Sequence, residues 1–471
     1  MVGQTRRSIL NILLLVRGVI GFTVGLYLYN YGAVIYDGLS STLSQPDTTL
    51  SLFKFNMYPL QWTAFIFSFG ILAEALLEIP TGVFADSLGR KFATVISFLF
   101  RVAYFICLVL IWWCGTHQLA QEVLVCGLVA VLLFAFHYTF MSGSFLAWLK
   151  DALDEIDQSE LLNDFLAKGQ LCYQINFLLG TATGLFLWLQ GFVQWAYFAG
   201  ALLNLVAAMV CLFRMQENLS YDFVQTRDLY GRSFKKVWSE IYRIWVAGGR
   251  YFVKHKNLWV VFGAIASVYS MTYLVDFVWP VFTRAIFTKE LGTGFSPEWV
   301  ALLLIFSTSS LIGTFVFSFT VKKYIKKRRR LGLHDLTLLN ALSFFLFAVP
   351  IFAVVFLDTG LLGANLNLWA FMVLMVWHKS IQGFWLPSTE GLQSEMIPKA
   401  TRERSTILSL GAMVKNVLIV LLVFFGIGKS TQNLIPWLVP ATVIVVMTLL
   451  LLMIKSGRTS ESKDQKKEAQ V

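Results

Sequence analysis

Charged residues are scarce in this 471-residue chain, at 14% of positions against 57% hydrophobic ones. A soluble globular domain carries about 25% charge. So little charge cannot cover a folded surface in water, which excludes an ordinary soluble domain and leaves lipid as the main solvent. Cysteine is scarce too: Cys107, Cys114, Cys126, Cys172 and Cys211 all lie in apolar stretches or at their ends. No Cys-x-x-Cys or Cys/His ligand spacing appears, so neither a zinc motif nor a disulfide framework is expected. The thiols read as small core residues. No Gly-x-Ser-x-Gly elbow is present, so no hydrolase site is expected. The segment Gly426-Ile427-Gly428-Lys429-Ser430 evokes a phosphate-binding loop, but Val423 stands where its first glycine belongs. The sequence predicts neither an enzyme nor a bound cofactor or metal, and a gradient has to supply any energy for vectorial work.

Long apolar runs and aromatics are abundant, with 42 Phe and 15 Trp. A spanning helix needs roughly 20 mostly apolar residues. Runs of that size fall near 9–31, 61–80, 92–114, 122–147, 168–190 and 193–214. After a polar stretch, six more fall near 258–282, 298–321, 335–357, 365–387, 405–428 and 434–454. The expected fold class is an all-α membrane protein of twelve transmembrane helices in two six-helix halves, 1–214 and 258–454. The basic, aromatic stretch 215–257 reads as an amphipathic linker on an anionic leaflet, and 455–471 as a disordered tail.

The net charge of +11 does not point to nucleic acid, because Lys and Arg collect in alternate connections. Arg6, Arg7, Arg90, Lys91, the basic linker, the run Lys322 to Arg330, Lys399, Arg402, Arg404 and the tail lysines all share one side. That distribution predicts a multi-pass protein of a cell membrane, the inner membrane if bacterial, with both termini cytoplasmic. The expected partners are the lipid bilayer, a small-molecule substrate and protons, with the chain acting as a monomer.

The connection after the second run reads Gly82-Val-Phe-Ala-Asp86-Ser-Leu-Gly89-Arg90-Lys91, preceded by Glu78-Ile-Pro80-Thr81. It resembles the signature loop of the major facilitator superfamily, Gly-x-x-x-Asp-x-x-Gly-Arg-Lys/Arg. An orientation signal alone would explain Arg90 and Lys91, but not two glycines and Asp86 at these spacings. The segment Ser142-Gly143-Ser144 to Lys150-Asp151 resembles a second element of that superfamily, and Ile397 to Leu410 resembles the start of its eleventh helix. Lys322 to Arg330 reads as a degenerate, basic copy of the loop in the second half.

The resemblance implies a cytoplasmic gate of Gly82, Asp86, Gly89, Arg90 and Asp151, with Asp151 beside Arg90. It also implies a central cavity lined by the first, fourth, seventh and tenth helices. Ionisable residues in hydrocarbon are costly, about 2.5–3.5 kcal/mol on insertion scales, so each needs a reason. Candidate substrate ligands on those helices are Arg17, His137, Tyr138, Tyr273, Asp276, His378, Lys379 and Gln382. His137 fits a core histidine as well as a proton site, and His378 and Lys379, as helix neighbours, cannot share one facing. Glu74 and Asp276 are candidates for ion coupling; Glu74 fits a structural pair equally. Glu78, about a turn from the membrane surface, fits pairing at the gate, and Arg101 is expected to pair with one of these two glutamates.

The central groups lean basic, which favours an anionic or zwitterionic solute held by Arg. The resulting expectation is a secondary active, proton-coupled transporter of a small organic solute, with export placed ahead of uptake. The export motif of the superfamily is incomplete, because Leu185 follows Gly180-Thr-Ala-Thr-Gly184 where proline belongs; close helix packing is the better reading of that glycine pair. The alternatives are uptake of an anionic metabolite by symport or exchange, and a non-transporting sensor that keeps the fold.

Overall fold

The computed structural model describes residues 5–41, 50–52, 55–158 and 162–217, and in the second half mainly 257–269, 333–358, 376–382 and 438–453, with isolated helical positions between. The first half is α1 (Arg6–Ser40), a small antiparallel hairpin of β1 (Leu50–Leu52) and β2 (Phe55–Met57), then α2 (Pro59–Leu88), α3 (Arg90–Thr116), α4 (Ala120–Asp154), α5 (Leu162–Leu189) and α6 (Val193–Arg214). The second half contributes α7 (Asn257–Tyr269), α8 (Leu333–Asp358) and α9 (Leu438–Leu452).

Five helices among the described residues are long and apolar enough to cross a membrane. On α3, Phe92, Leu99, Ile106, Leu110 and Trp113 are exposed, while Ala93, Phe98, Arg101, Phe105 and Leu108 on the opposite side are buried. On α6, Trp195, Leu202, Met209 and Phe213 are likewise exposed. Stripes this apolar have no stable place in water, and acyl chains cover them.

The helices run past the apolar stretches that announce them. α1 extends from 9–31 to 6–40, α2 from 61–80 to 59–88 and α4 from 122–147 to 120–154. Hydropathy marks only the hydrocarbon crossing, whereas backbone hydrogen bonding carries each helix on into the polar layer. Thr5 begins α1 by accepting from the Ser8 N–H at 3.3 Å. This corrects the reading of residues 82–91 as a loop. Gly82 and Asp86 lie within α2, and Gly89 by itself separates α2 from α3.

α1 packs along α5, α3 packs against α4 and α6, and α2 packs against α4. The α1–α5 seam is a backbone-to-backbone approach. A Cβ on Gly21 or Gly25 would overlap the carbonyls of Tyr173 or Phe177, and one on Gly180 or Gly184 those of Phe22 or Leu26. Two Gly-x-x-x-Gly segments therefore face each other, which gives Gly180 and Gly184 the packing role expected of them.

Candidate functional site

Two polar sites stand on the first six helices, one at the α2–α3 junction and one deep in the bundle. The junction begins with Gly89, whose φ of +101° is a conformation that side-chain-bearing residues rarely adopt. The chain turns there so that α3 starts immediately with Arg90. Arg90 Nη1 donates to Asp151 Oδ2 on α4, with the two side chains 27% and 24% exposed. The expected neighbourhood of Asp151 and Arg90 is thus present. The Asp86 side chain lies outside the described residues.

The sequence reading missed Glu217, three residues past α6. Its carboxylate accepts from the backbone N–H of Arg90 at 2.7 Å and of Lys91 at 3.1 Å. The first N–H groups of a helix lack partners within it and favour an anion, and Glu217 supplies that anion from beyond the end of α6. A Cβ at Gly89 would stand 2.6 Å from Glu217 Oε2, so this glycine is required for space as well as for φ. Burial pushes the Glu217 carboxyl above the ordinary glutamate value, partly opposed by the amide bonds it accepts. A signal was available in the sequence. α3 opens on Gly89 with no Ser, Thr, Asp or Asn to cap it, so an acceptor had to come from elsewhere.

Trp148 Nε1 donates to the Gln216 carbonyl at 2.9 Å, tying α4 to the same exit of α6. Burial and the nearby Asp151 push the Glu155 carboxyl up at the end of α4. Ser142 Oγ donates to Glu78 Oε1 at 3.4 Å.

The deep site is organised by Arg101, 1% exposed, and His137, 3% exposed. Arg101 Nη1 donates to His137 Nε2 at 2.8 Å, and Nη2 donates to Thr23 Oγ1 at 3.0 Å and to the Ile20 carbonyl at 3.4 Å. A guanidinium has donors only, so Nε2 is the acceptor. The ring proton then sits on Nδ1, facing the Ser97 carbonyl at 3.0 Å and Ser97 Oγ at 2.8 Å. Ser97 Oγ donates to the His137 carbonyl at 3.0 Å. His137 is therefore a neutral, buried histidine with both ring nitrogens engaged. The expectation that Arg101 pairs with a glutamate is corrected. Its partners are His137, Thr23 and a backbone carbonyl, because α1 and α4 bring those acceptors to its face of α3.

The other candidates separate cleanly. Glu74 is buried on α2. Arg17 is half-buried on α1 with its stem against Gly169 of α5, and it has no hydrogen-bond or ionic partner among the described residues. Tyr138 is 48% exposed, with its ring stacked on Phe134. Lys379 Nζ donates to Gln382 Oε1 at 2.6 Å, while His378 packs on Phe347 with ring centroids 3.8 Å apart. Both His378 and Lys379 are buried. Tyr273, Asp276 and the basic run Lys322 to Arg330 lie outside the described residues.

No protein-family model matches the chain, and no curated protein matches it. Solved structures match it over nearly its whole length. A mutant form of the nucleoside transporter NupG is similar with a TM-score of 0.64 and 14% identity, covering 95% of this chain and 100% of that one. The inward open xylose transporter XylE from E. coli is similar with a TM-score of 0.64 and 11% identity, covering 97% and 99%. An inward-facing bacterial homologue of the iron transporter ferroportin is similar with a TM-score of 0.58 and 14% identity, covering 95% and 98%. At such identities the likeness establishes the fold, and the fold is that of the major facilitator transporters.

Proposed function

We propose that this chain is a secondary active transporter that moves a small anionic or zwitterionic organic solute across a membrane in exchange for, or together with, protons. The observation that carries the reading is the built junction at Gly89. The Arg90–Asp151 pair and the Glu217 cap bind α3, α4 and the exit of α6 together at one end of the six-helix half. A joint of this kind lets residues 1–214 move as one body against residues 258–454, the rocking by which such folds expose a site to one side at a time.

Arg17 supports the anionic cargo. It is a cation on a helix assigned to the cavity, and its guanidinium is uncommitted among the described residues. Glu74, buried in the same half, is the candidate for the protonatable role. A second reading, uptake by symport, is favoured by the likeness to a D-xylose–proton symporter, with a TM-score of 0.64 at 12% identity.

Purified protein in proteoliposomes, offered a panel of radiolabelled organic acids under an imposed pH gradient, tests the reading. Gradient-dependent movement of an acid, lost in Arg17→Ala, is expected. Transport that ignores the pH gradient would remove the coupling. Binding of cations alone, unchanged in Arg17→Ala, would remove the anionic cargo.

A further inference from the structure

Tyr138 is 48% exposed on α4, next to His137, at the level where Arg101 joins α3 to α4 and α1. That level is near the middle of the apolar run 122–147, away from the two membrane surfaces where tyrosine ordinarily anchors. Nor does Tyr138 share the lipid side of its helix. The exposed apolar stripe of α4 passes through Val125 and Val129. Tyr138 follows Val129 by nine residues, about two and a half turns, so the two point in opposite directions. Ser142, one turn further along the Tyr138 side, is exposed as well, and a hydroxyl is a poor surface for acyl chains. An exposed face at mid-depth, polar and turned from the lipid stripe, suits the solute cavity between the two halves of this fold.

The ring is also held in place from behind. Tyr138 stacks on Phe134, one turn away, with centroids 6.5 Å apart and planes 23° from parallel. Phe134 meets Tyr104 at 5.2 Å, His137 at 5.9 Å and Tyr27 at 6.4 Å, with ring planes crossing at 52–73°. Tyr27 and Tyr104 are buried, and the His137 ring is fixed by Arg101 and Ser97. Fixed rings thus back an exposed one. A face ordered before its ligand arrives loses little entropy on binding.

We propose that Tyr138, backed by Phe134, is a stacking wall that selects a solute with a planar aromatic ring, so that the cargo is an aromatic acid or zwitterion. The wall rests on the transport reading above and names the organic part of its solute. Aliphatic side chains would suffice to line a pocket for any apolar group. A flat ring laid against another gains from offset stacking, which a puckered saturated ring of the same size cannot match. Tyr138 supplies the contact face and is the specificity residue. Phe134 is a positioning residue that sets the plane of that face.

Matched pairs of radiolabelled acids offered to the full chain in proteoliposomes test the wall. Phthalate is set against cyclohexane-1,2-dicarboxylate, nicotinate against its saturated piperidine counterpart, and phenylalanine against cyclohexylalanine. Within at least one pair the aromatic member is expected to be carried at about two- to tenfold higher kcat/KM, the range of an aromatic pair beyond its area burial. Tyr138→Phe keeps the face and should keep that ratio. Tyr138→Leu keeps an apolar side chain without the face and should bring the ratio to about one while the saturated acid is still carried. Phe198→Leu, an equally exposed ring on α6, should leave the ratio unchanged. Equal rates within every carried pair, or a preference that survives Tyr138→Leu, would overturn the wall and leave the transport reading standing. Movement of none of these acids would remove the anionic or zwitterionic cargo and the wall with it.

Discussion

Arg90 and Arg101 lie on nearly the same face of α3, because eleven residues make about three helical turns, yet they are paired differently. Arg90, at the end of the helix, takes the carboxylate of Asp151 on α4 and keeps about a quarter of its side chain exposed. Arg101, inside the bundle, takes the neutral ring of His137 on the same helix α4 and keeps almost none. The difference follows from the solvent around each. At the rim, water screens both charges, so the pair adds little to stability. In the interior every lost partner costs its full desolvation penalty. There the structure spends three acceptors from two helices on one guanidinium, which suits a fixed post.

That contrast can be broken from either end. His137→Ala leaves the buried Arg101 short of a partner and should cost about 1–3 kcal/mol, read as a fall in melting temperature in detergent. An unchanged melting temperature would mean that the pair is not structural. Gly89→Ala forces a side chain into both the left-handed turn and the Glu217 carboxylate. It should cost about 1–3 kcal/mol and lower solute flux, while alanine at Gly191, whose φ of +74° has open space around it, should leave flux unchanged.

Asp151→Asn should change stability by only about 0.2–1 kcal/mol, as for other partly exposed pairs, yet slow transport in proteoliposomes. Equal losses of stability and flux would place it with the interior pair. The smallest effect is the pH dependence of Glu217. Its carboxyl is raised in the folded protein above the ordinary value of 4.5, so the native state holds the proton more readily than the unfolded chain does. Stability therefore falls as pH rises from that ordinary value through the raised one. Thermal melts of Glu217→Gln should lose this slope across the same window.

The legibility of the two sites in sequence divides along the same line. The junction was announced by Gly89, Arg90 and Asp151, because a tight turn and an ion pair need particular residues at particular places. The interior showed Arg101 and His137 as costly charges but not their pairing, which depends on the register of α4 against α3. Glutamate looked the natural partner for Arg101 because opposite charge is what composition reveals, whereas a neutral acceptor is revealed only by packing. Glu217 was hidden for another reason: it caps a helix that begins well over a hundred residues before it. The packing of Gly180 and Gly184 was legible, since small residues four apart have few other uses in a membrane helix.

Double-mutant cycles at both arginines, measured by reversible unfolding of the purified chain, test the contrast most directly. The Arg101–His137 pair should show a coupling of roughly 2–3 kcal/mol, at the upper end for residues in one buried network. The Arg90–Asp151 pair should show less than about 1 kcal/mol, as exposed pairs do. Equal couplings, or the larger one at Arg90–Asp151, would contradict the division of α3 into a buried post and a solvent-screened rim pair.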